Sequence, residues 1–333
     1  MAESKSAALP LGYAPMHRGN AGGLPSARRT ITARVLRINL CRHATVGASR
    51  ASINAGRAPI IIMSREAGDT AGDASDRLNF ERLGNMSEPV VVTDDGGVRI
   101  IRMNRPEKKN ALTQPMYAAM TAALQEAGTN AALRCVVLAG APGAFCAGSD
   151  IADFLKAAEG GLEPITIDFL YALARNQKPL VAAVGGLAVG IGTTMLLHCD
   201  HVVAATDAVF STPFTRLGLI PEAASSLLAP MRMGHARAFA MLVMGRPLNA
   251  EEAKTAGIVN TVVDAAAVDD VALTAAREIA ALPPGAVALG RQLLRGPVDA
   301  IVRQVDTEAS HFKERLRSDE ARAAFTAFLA RKT

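Results

Sequence analysis

The sequence predicts an α/β (α+β) layered domain built on a largely parallel sheet and closed by a helical tail. Three observations carry this. After Met86, short β-rich runs alternate with helical patterns, as repeated strand–helix units do. A hairpin signal opens that region. From about Ala223 onward the pattern is nearly all helical.

The part before Met86 stands apart. Residues 1–62 carry one Lys, eight Arg and one Glu, a net of +8, whereas the remainder carries 27 basic and 30 acidic side chains, a net of −3. The overall +5 therefore belongs to the N-terminal piece and does not mark a nucleic-acid-binding body. Residues 1–85 are rich in Ala, Arg, Ser and Gly and keep neither a 3.6 nor a 2.0 period. They are set aside from the fold, either as a disordered or non-native upstream extension with the start at Met86, or as a transit peptide. The first reading expects a cytoplasmic protein if the source is bacterial, the second a mitochondrial one. The run "APIIIM" is too brief to anchor anything, and no stretch of 18 apolar residues predicts a membrane span. With no Trp and three Tyr, stacking on nucleic-acid bases is not expected. Cys41, Cys135, Cys146 and Cys199 show no C-x-x-C spacing, which suits a reducing compartment.

The elements follow in order. "PVVVTDDGGVRIIRMN" is two β-rich runs around Asp-Asp-Gly-Gly, a hairpin. "QPMYAAMTAALQEAG" is an amphipathic helix ending at Gly128, "RCVVLAG" a short buried strand and "APGAFCAGSD" a loop. "PLVAAVGG" is another buried strand, followed by a Gly-rich loop and a helix through Leu197; "HVVAAT" and "AVFSTP" are further strands. Helices are expected over 223–231, 235–243, 250–256, 267–282, 284–295, 299–316 and 319–331.

Two stretches repeat one design. "FCAGSD" (Phe145–Asp150) and "LAVGIG" (Leu187–Gly192) each follow an apolar strand and turn through Gly toward a helix. Neither completes a P-loop or a dinucleotide fingerprint. Glycine permits positive φ and close backbone approach, and a residue at a helix start has a free N–H. Two such donors aimed at one point make an oxyanion hole, the alternative being two ordinary strand-to-helix turns. Asp150 has the position of a helix cap, and Glu222, after Pro221, fits the first turn of the following helix. His198 and His201 lack a third metal ligand and read as structural.

"NRPEKKNAL" (Asn104–Leu112), "GAFCAGSDI" (Gly143–Ile151), "AAVGGLAVGIG" (Ala182–Gly192) and "FSTPFTRLGLIPEAASS" (Phe210–Ser226) occur in this order. On these motifs the chain resembles the crotonase, or enoyl-CoA hydratase/isomerase, superfamily over roughly residues 88–331, and most of all its peroxisomal-type 3,2-enoyl-CoA isomerase branch. The resemblance implies a spiral of ββα turns over 86–270 and a helical trimerisation region over 271–333. It implies acyl-CoA thioester substrates, with coenzyme A as part of the substrate and no other cofactor or metal, and a homotrimer or dimer of trimers. It makes the N–H groups of Ser149 and Ile191 the donors to the thioester oxygen, each contributing roughly 3–4 kcal/mol to an enolate. Ala147, Asp150, Ile151, Leu187, Gly190, Ala111 and Pro221 would surround the substrate, and Lys108 and Lys109 would meet CoA phosphates, a solvated charge pair being the alternative.

Family hydratases use two glutamates. Their positions here are Thr194 and Phe214, so that mechanism does not carry over. A single acid remains nearby, Glu222 in "LGLIPEAASS". One carboxylate suits an isomerase of β-oxidation, which moves a proton from the α-carbon of a 3-enoyl thioester to its γ-carbon and needs no water. A hydratase-type lyase and a non-catalytic acyl-CoA-binding protein are the alternatives.

Overall fold

The computed structural model describes residues 62–64, 88–150, 152–153 and 164–330. Strands β2 (Val90–Asp95) and β3 (Val98–Met103) form the expected antiparallel hairpin, with Gly96 and Gly97 as its two-residue turn. Arg99, fully buried, closes the hairpin's inner face. Its guanidinium grips Asp94 with both forks, at 2.8 and 2.9 Å, and reaches the Ala123 carbonyl on helix α1 (Gln114–Thr129). A buried charge needs such a partner set.

Helix α1 crosses back to β4 (Cys135–Gly140), which lies parallel to β3. Helix α2 (Pro164–Arg175) leads to β6 (Leu180–Val184), and β8 (His201–Ala205) and β11 (Thr261–Val263) extend the same parallel sheet. The central strands β4 and β6 are apolar and almost wholly buried on both faces, as a covered parallel sheet requires. A second, smaller sheet runs alongside, with β5 (Ala144–Cys146), β7 (Leu187–Val189) and β9 (Val209–Ser211) parallel to each other and β10 (Leu248–Asn249) antiparallel at its edge. A long strand, a short strand and then helical structure repeat along the chain. This is the expected ββα arrangement.

The tail is helical as expected: α4 (Ser225–Met233), α5 (His235–Leu242), α6 (Ala250–Thr255), α7 (Val268–Ala281), α8 (Pro284–Arg295), α9 (Val298–Leu316) and α10 (Asp319–Ala330) follow the one-turn helix α3 (Ile191–Thr194). Asn249 and Glu252 form a full capping box at the start of α6.

Four expectations need correction. The loop "APGAFCAGSD" holds β5, and the Gly-rich loop before Ile191 holds β7. The nearly all-helical tail contains β10 and β11. The helix expected through Leu197 is a single α turn followed by a 3-10 turn at Met195–His198. Strands of two or three residues are too short to show a period, and their pairing partners decide them. Finally, Ile62–Ser64, inside a segment set aside from the fold, pairs in parallel with Val92–Asp94 at the sheet edge, which makes it β1. The rest of residues 1–85 lies outside the described residues.

Candidate active site

The two Gly turns stand side by side because β5 and β7 are adjacent parallel strands ending in the same direction. Gly192 permits the closeness, since a Cβ there would lie 2.6 Å from the Cys146 carbonyl oxygen. Gly148 has φ +92 and faces the Val189 carbonyl, so the turn ahead of Ser149 needs glycine.

The N–H of Ser149 is left free by its neighbours' bonds. The Leu112 N–H donates to the Gly148 carbonyl at 2.8 Å, and the Leu112 carbonyl accepts from the Asp150 N–H at 2.8 Å. A parallel bridge of that kind turns the backbone groups of the residue between them to the opposite side. In the second turn the Gly190 N–H donates to the Ser211 carbonyl, and the Gly190 carbonyl accepts from the N–H groups of Thr193 and Thr194. Ile191, the first residue of α3, is skipped. Among the described residues, neither the Ser149 N–H nor the Ile191 N–H meets an acceptor. Each is a terminal donor at the end of a strand, the arrangement an oxyanion hole uses.

Glu222 sits elsewhere than in the first helical turn expected for it. Ala223 and Ala224 both adopt left-handed backbone, with φ 61 and 55, and helix α4 begins only at Ser225. The carboxyl faces α3 instead, where Oε1 accepts from the Thr194 hydroxyl at 3.2 Å. Burial, followed by the negative Glu308, pushes its pKa up to about 8, and the Thr194 hydrogen bond offsets this in part.

A pocket of about 540 Å³, open space at its mouth included, joins the first turn to Glu222, and Ile191 is not among its lining residues. Ser149 and Glu222 line it together with Tyr117, Asp153 and Glu308, and its apolar wall is Leu112, Ile167, Leu170, Ala309 and Phe312. The idea of Glu222 as a solitary acid is therefore corrected, because the fold brings Asp153 and Glu308 to the same pocket. Both are engaged. Asp153 Oδ2 accepts from the Gln114 N–H at the start of α1, and Glu308 accepts from the N–H groups of Ala224 and Ser226 at 2.6 and 3.0 Å and from the Ser226 hydroxyl.

The other expected residues surround the turns without lining the pocket. Asp150 Oδ1 accepts from the Ala152 N–H at 2.9 Å, and Oδ2 pairs with Arg105 at 2.7 Å. Burial raises its pKa, but the Arg105 hydrogen bond, the Ala152 N–H and the positive charge of Arg105 together outweigh that and hold the carboxyl below its usual range. Lys109 is exposed, and its carbonyl takes the Ala147 N–H at 2.9 Å, while the Ala111 carbonyl takes Arg105. Leu187 pairs with Ala144 and Val209, and Pro221 leads into Glu222. Ile151 lies outside the described residues. His198 is buried and neutral, its pKa lowered to about 3 by burial and then by Arg295, and its Nε2 bonds the Ala223 carbonyl at 2.7 Å.

A sequence profile of the enoyl-CoA hydratase/isomerase family matches residues 93–333. The chain belongs to this family. It is 35% identical over 254 residues to enoyl-CoA delta isomerase 2 of Rattus norvegicus, covering 74% of this chain and 64% of the rat protein, so it spans just under two thirds of that relative. It is 32% identical over 256 residues to 1,2-epoxyphenylacetyl-CoA isomerase of Escherichia coli (strain K12), covering 74% of this chain and 98% of that one. Among solved structures, an enoyl-CoA hydratase/isomerase from Pseudoalteromonas atlantica T6c matches with a TM-score of 0.70 at 38% identity, covering 73% of this chain and 98% of that one. Among the described residues, no helix is long and apolar enough to cross a membrane.

Several residues of this family member escaped the sequence reading. Asn110 is fully buried in "NRPEKKNAL"; its Nδ2 donates to the Ala144 carbonyl at 2.7 Å and its Oδ1 accepts from the Arg105 N–H at 2.8 Å, fixing the first turn. An Asn after a basic run is a turn signal that pointed here. Tyr117 and Glu308 sit on helix faces that read as core or solvent. The Tyr117 hydroxyl meets Ser149 Oγ at 2.7 Å.

Proposed function

We propose that this protein is an enoyl-CoA isomerase of fatty-acid β-oxidation that moves a 3-double bond to the 2-position. One observation carries the reading: Glu222 is the pocket carboxyl held by a single hydroxyl and raised to about 8, while Asp153 and Glu308 are tied to backbone N–H groups. A poised base with a spare oxygen can accept a proton and give it back. Glu222 takes a proton from the α-carbon of a 3-enoyl thioester, and the C–H electrons move into a dienolate. The N–H groups of Ser149 and Ile191 hold the negative oxygen. Protonated Glu222 then returns the proton to the γ-carbon, leaving a 2-enoyl thioester and the base restored. Thr194, where hydratases carry a second acid, orients Glu222 and activates no water. The apolar wall between α2 and α9 receives the acyl chain.

The exposed Leu289, Leu293 and Leu294 of α8 suit burial against further copies of the chain in a trimer. A hydratase-type lyase is the second reading, favoured by Asp153 in the same pocket. Purified protein assayed on 3-enoyl-CoA and 2-enoyl-CoA side by side tests both. Isomerisation of the first without hydration of the second is the expected result, and hydration alone would overturn it.

A further inference from the structure

Two consecutive non-glycine residues in left-handed backbone are costly, roughly 1 kcal/mol or more each, and here they lie directly after Glu222. Alanine is the best helix former, so left to itself the chain would wind Ala223 and Ala224 into α4 and carry Glu222 away with them. Something must hold the turn open. The Ala224 N–H and the Ser226 N–H converge on one carboxylate, that of Glu308, 84 and 82 residues further along. The Ser226 hydroxyl donates to the same carboxylate and itself accepts from Gln304 at 2.8 Å, one helical turn before Glu308 on α9. From the other side His198 binds the Ala223 carbonyl. Backbone N–H groups converging at a left-handed turn form an anion cradle, and Glu308 fills it with a side chain that is only 4% exposed.

We infer that Glu308 is a positioning residue for Glu222: clamped by the Ala224 and Ser226 donors, it holds the left-handed turn in place and keeps a fixed negative charge behind the Glu222 carboxyl. The two carboxyls differ in their donors. Glu308 has three, and Glu222 has one. Burial raises both, yet the Ser226 and Ala224 hydrogen bonds pull Glu308 back, so Glu308 ionises first and its charge then opposes ionisation of Glu222. The other groups facing Glu222 are Tyr117 on α1, whose hydroxyl is held far above its ordinary value, chiefly by burial, and the Cys146 thiol on β5, pushed by burial to about 12. Both are neutral near pH 8, as is His198, and Asp153 lines the same pocket with its carboxylate on the Gln114 N–H. Glu308 is thus the charge that burial and donors combine to place at this turn. The inference deepens the isomerase reading and rests on it for its catalytic meaning.

The test is an infrared difference titration of the Glu222 carboxyl, its band assigned by loss in Glu222→Gln, in the full chain with and without Glu308→Gln. The midpoint near 8 is expected to fall by about one pH unit or more once the neighbouring charge is gone. Turnover of 3-enoyl-CoA is expected to fall about tenfold in kcat with KM little changed. The double variant Ala224→Gly/Glu308→Gln is measured beside Ala224→Gly, because glycine relieves the left-handed strain and lets the turn stand without its clamp. The same fall in midpoint is expected within that pair. An unchanged midpoint in either comparison overturns the inference. The titration uses no substrate, so its failure is separate from failure of the isomerase reading, which would show as absent turnover in the parent protein.

Discussion

Replacing Glu222 by Gln keeps the side chain's shape and removes its basicity, with consequences for both rate and stability. For the rate, an amide cannot take the α-proton, and loss of a positioned base lowers turnover about 10²–10⁴-fold. Acyl-CoA binding is expected to persist, because the apolar wall and the two turns are untouched. For stability, the folded protein keeps on Glu222 a proton that the unfolded chain releases between pH 4.5 and about 8. The unfolded state binds fewer protons across that window, so the carboxyl makes the fold less stable as pH rises through it. At about 1.4 kcal/mol per pH unit the ceiling is about 5 kcal/mol, and partial exposure at the pocket mouth lowers this to about 2 kcal/mol. Glutamine carries no charge at any of these pH values. The variant should therefore match the parent at pH 5 and exceed it by about 2 kcal/mol at pH 9, or about 4–8 °C in Tm. Steady-state assays on 3-enoyl-CoA and calorimetry at the two pH values measure both effects. Turnover within tenfold of the parent would refute the base assignment, and a stability difference independent of pH would refute the electrostatic account.

Three further outcomes are expected. The kcat/KM of the parent should rise about tenfold per pH unit up to a bend near 8, since only ionised Glu222 is a base; a profile flat from pH 6 to 9 contradicts this. Gly192→Ala places a Cβ 2.6 Å from the Cys146 carbonyl oxygen and forces the two turns apart, so kcat should drop about 10²-fold or more with a stability loss of about 1–3 kcal/mol in urea denaturation. Asn110→Ala removes two buried hydrogen bonds from a residue at φ 56 and should cost about 3–5 kcal/mol, read from the urea midpoint; a loss under 1 kcal/mol would show that the turn does not depend on it.

Much of this was legible along the chain. Strand–helix alternation, the Asp-Asp-Gly-Gly hairpin and the helical tail are local patterns, and the tail helices fall within two residues of their expected spans, because propensity and burial agree there. The paired Gly turns are visible because they depend on Gly at fixed spacing, and Glu222 is visible through the motif that carries the family resemblance. Strands such as Ala144–Cys146 and Leu187–Val189 were not visible. Three residues hold no period, and it is the neighbouring strand that makes them β.

The sequence by itself determined where the two Gly turns lie along the chain and which acid follows them. Only the tertiary structure decided where that acid points and how tightly it holds its proton. Local preference would make Ala223 and Ala224 helical, and Glu222 an ordinary acid in a first helical turn. A carboxylate from α9, more than eighty residues away, takes the N–H groups of Ala224 and Ser226, and His198 bonds the Ala223 carbonyl. The left-handed turn survives because those long-range bonds outweigh a local preference of roughly 1–2 kcal/mol per residue.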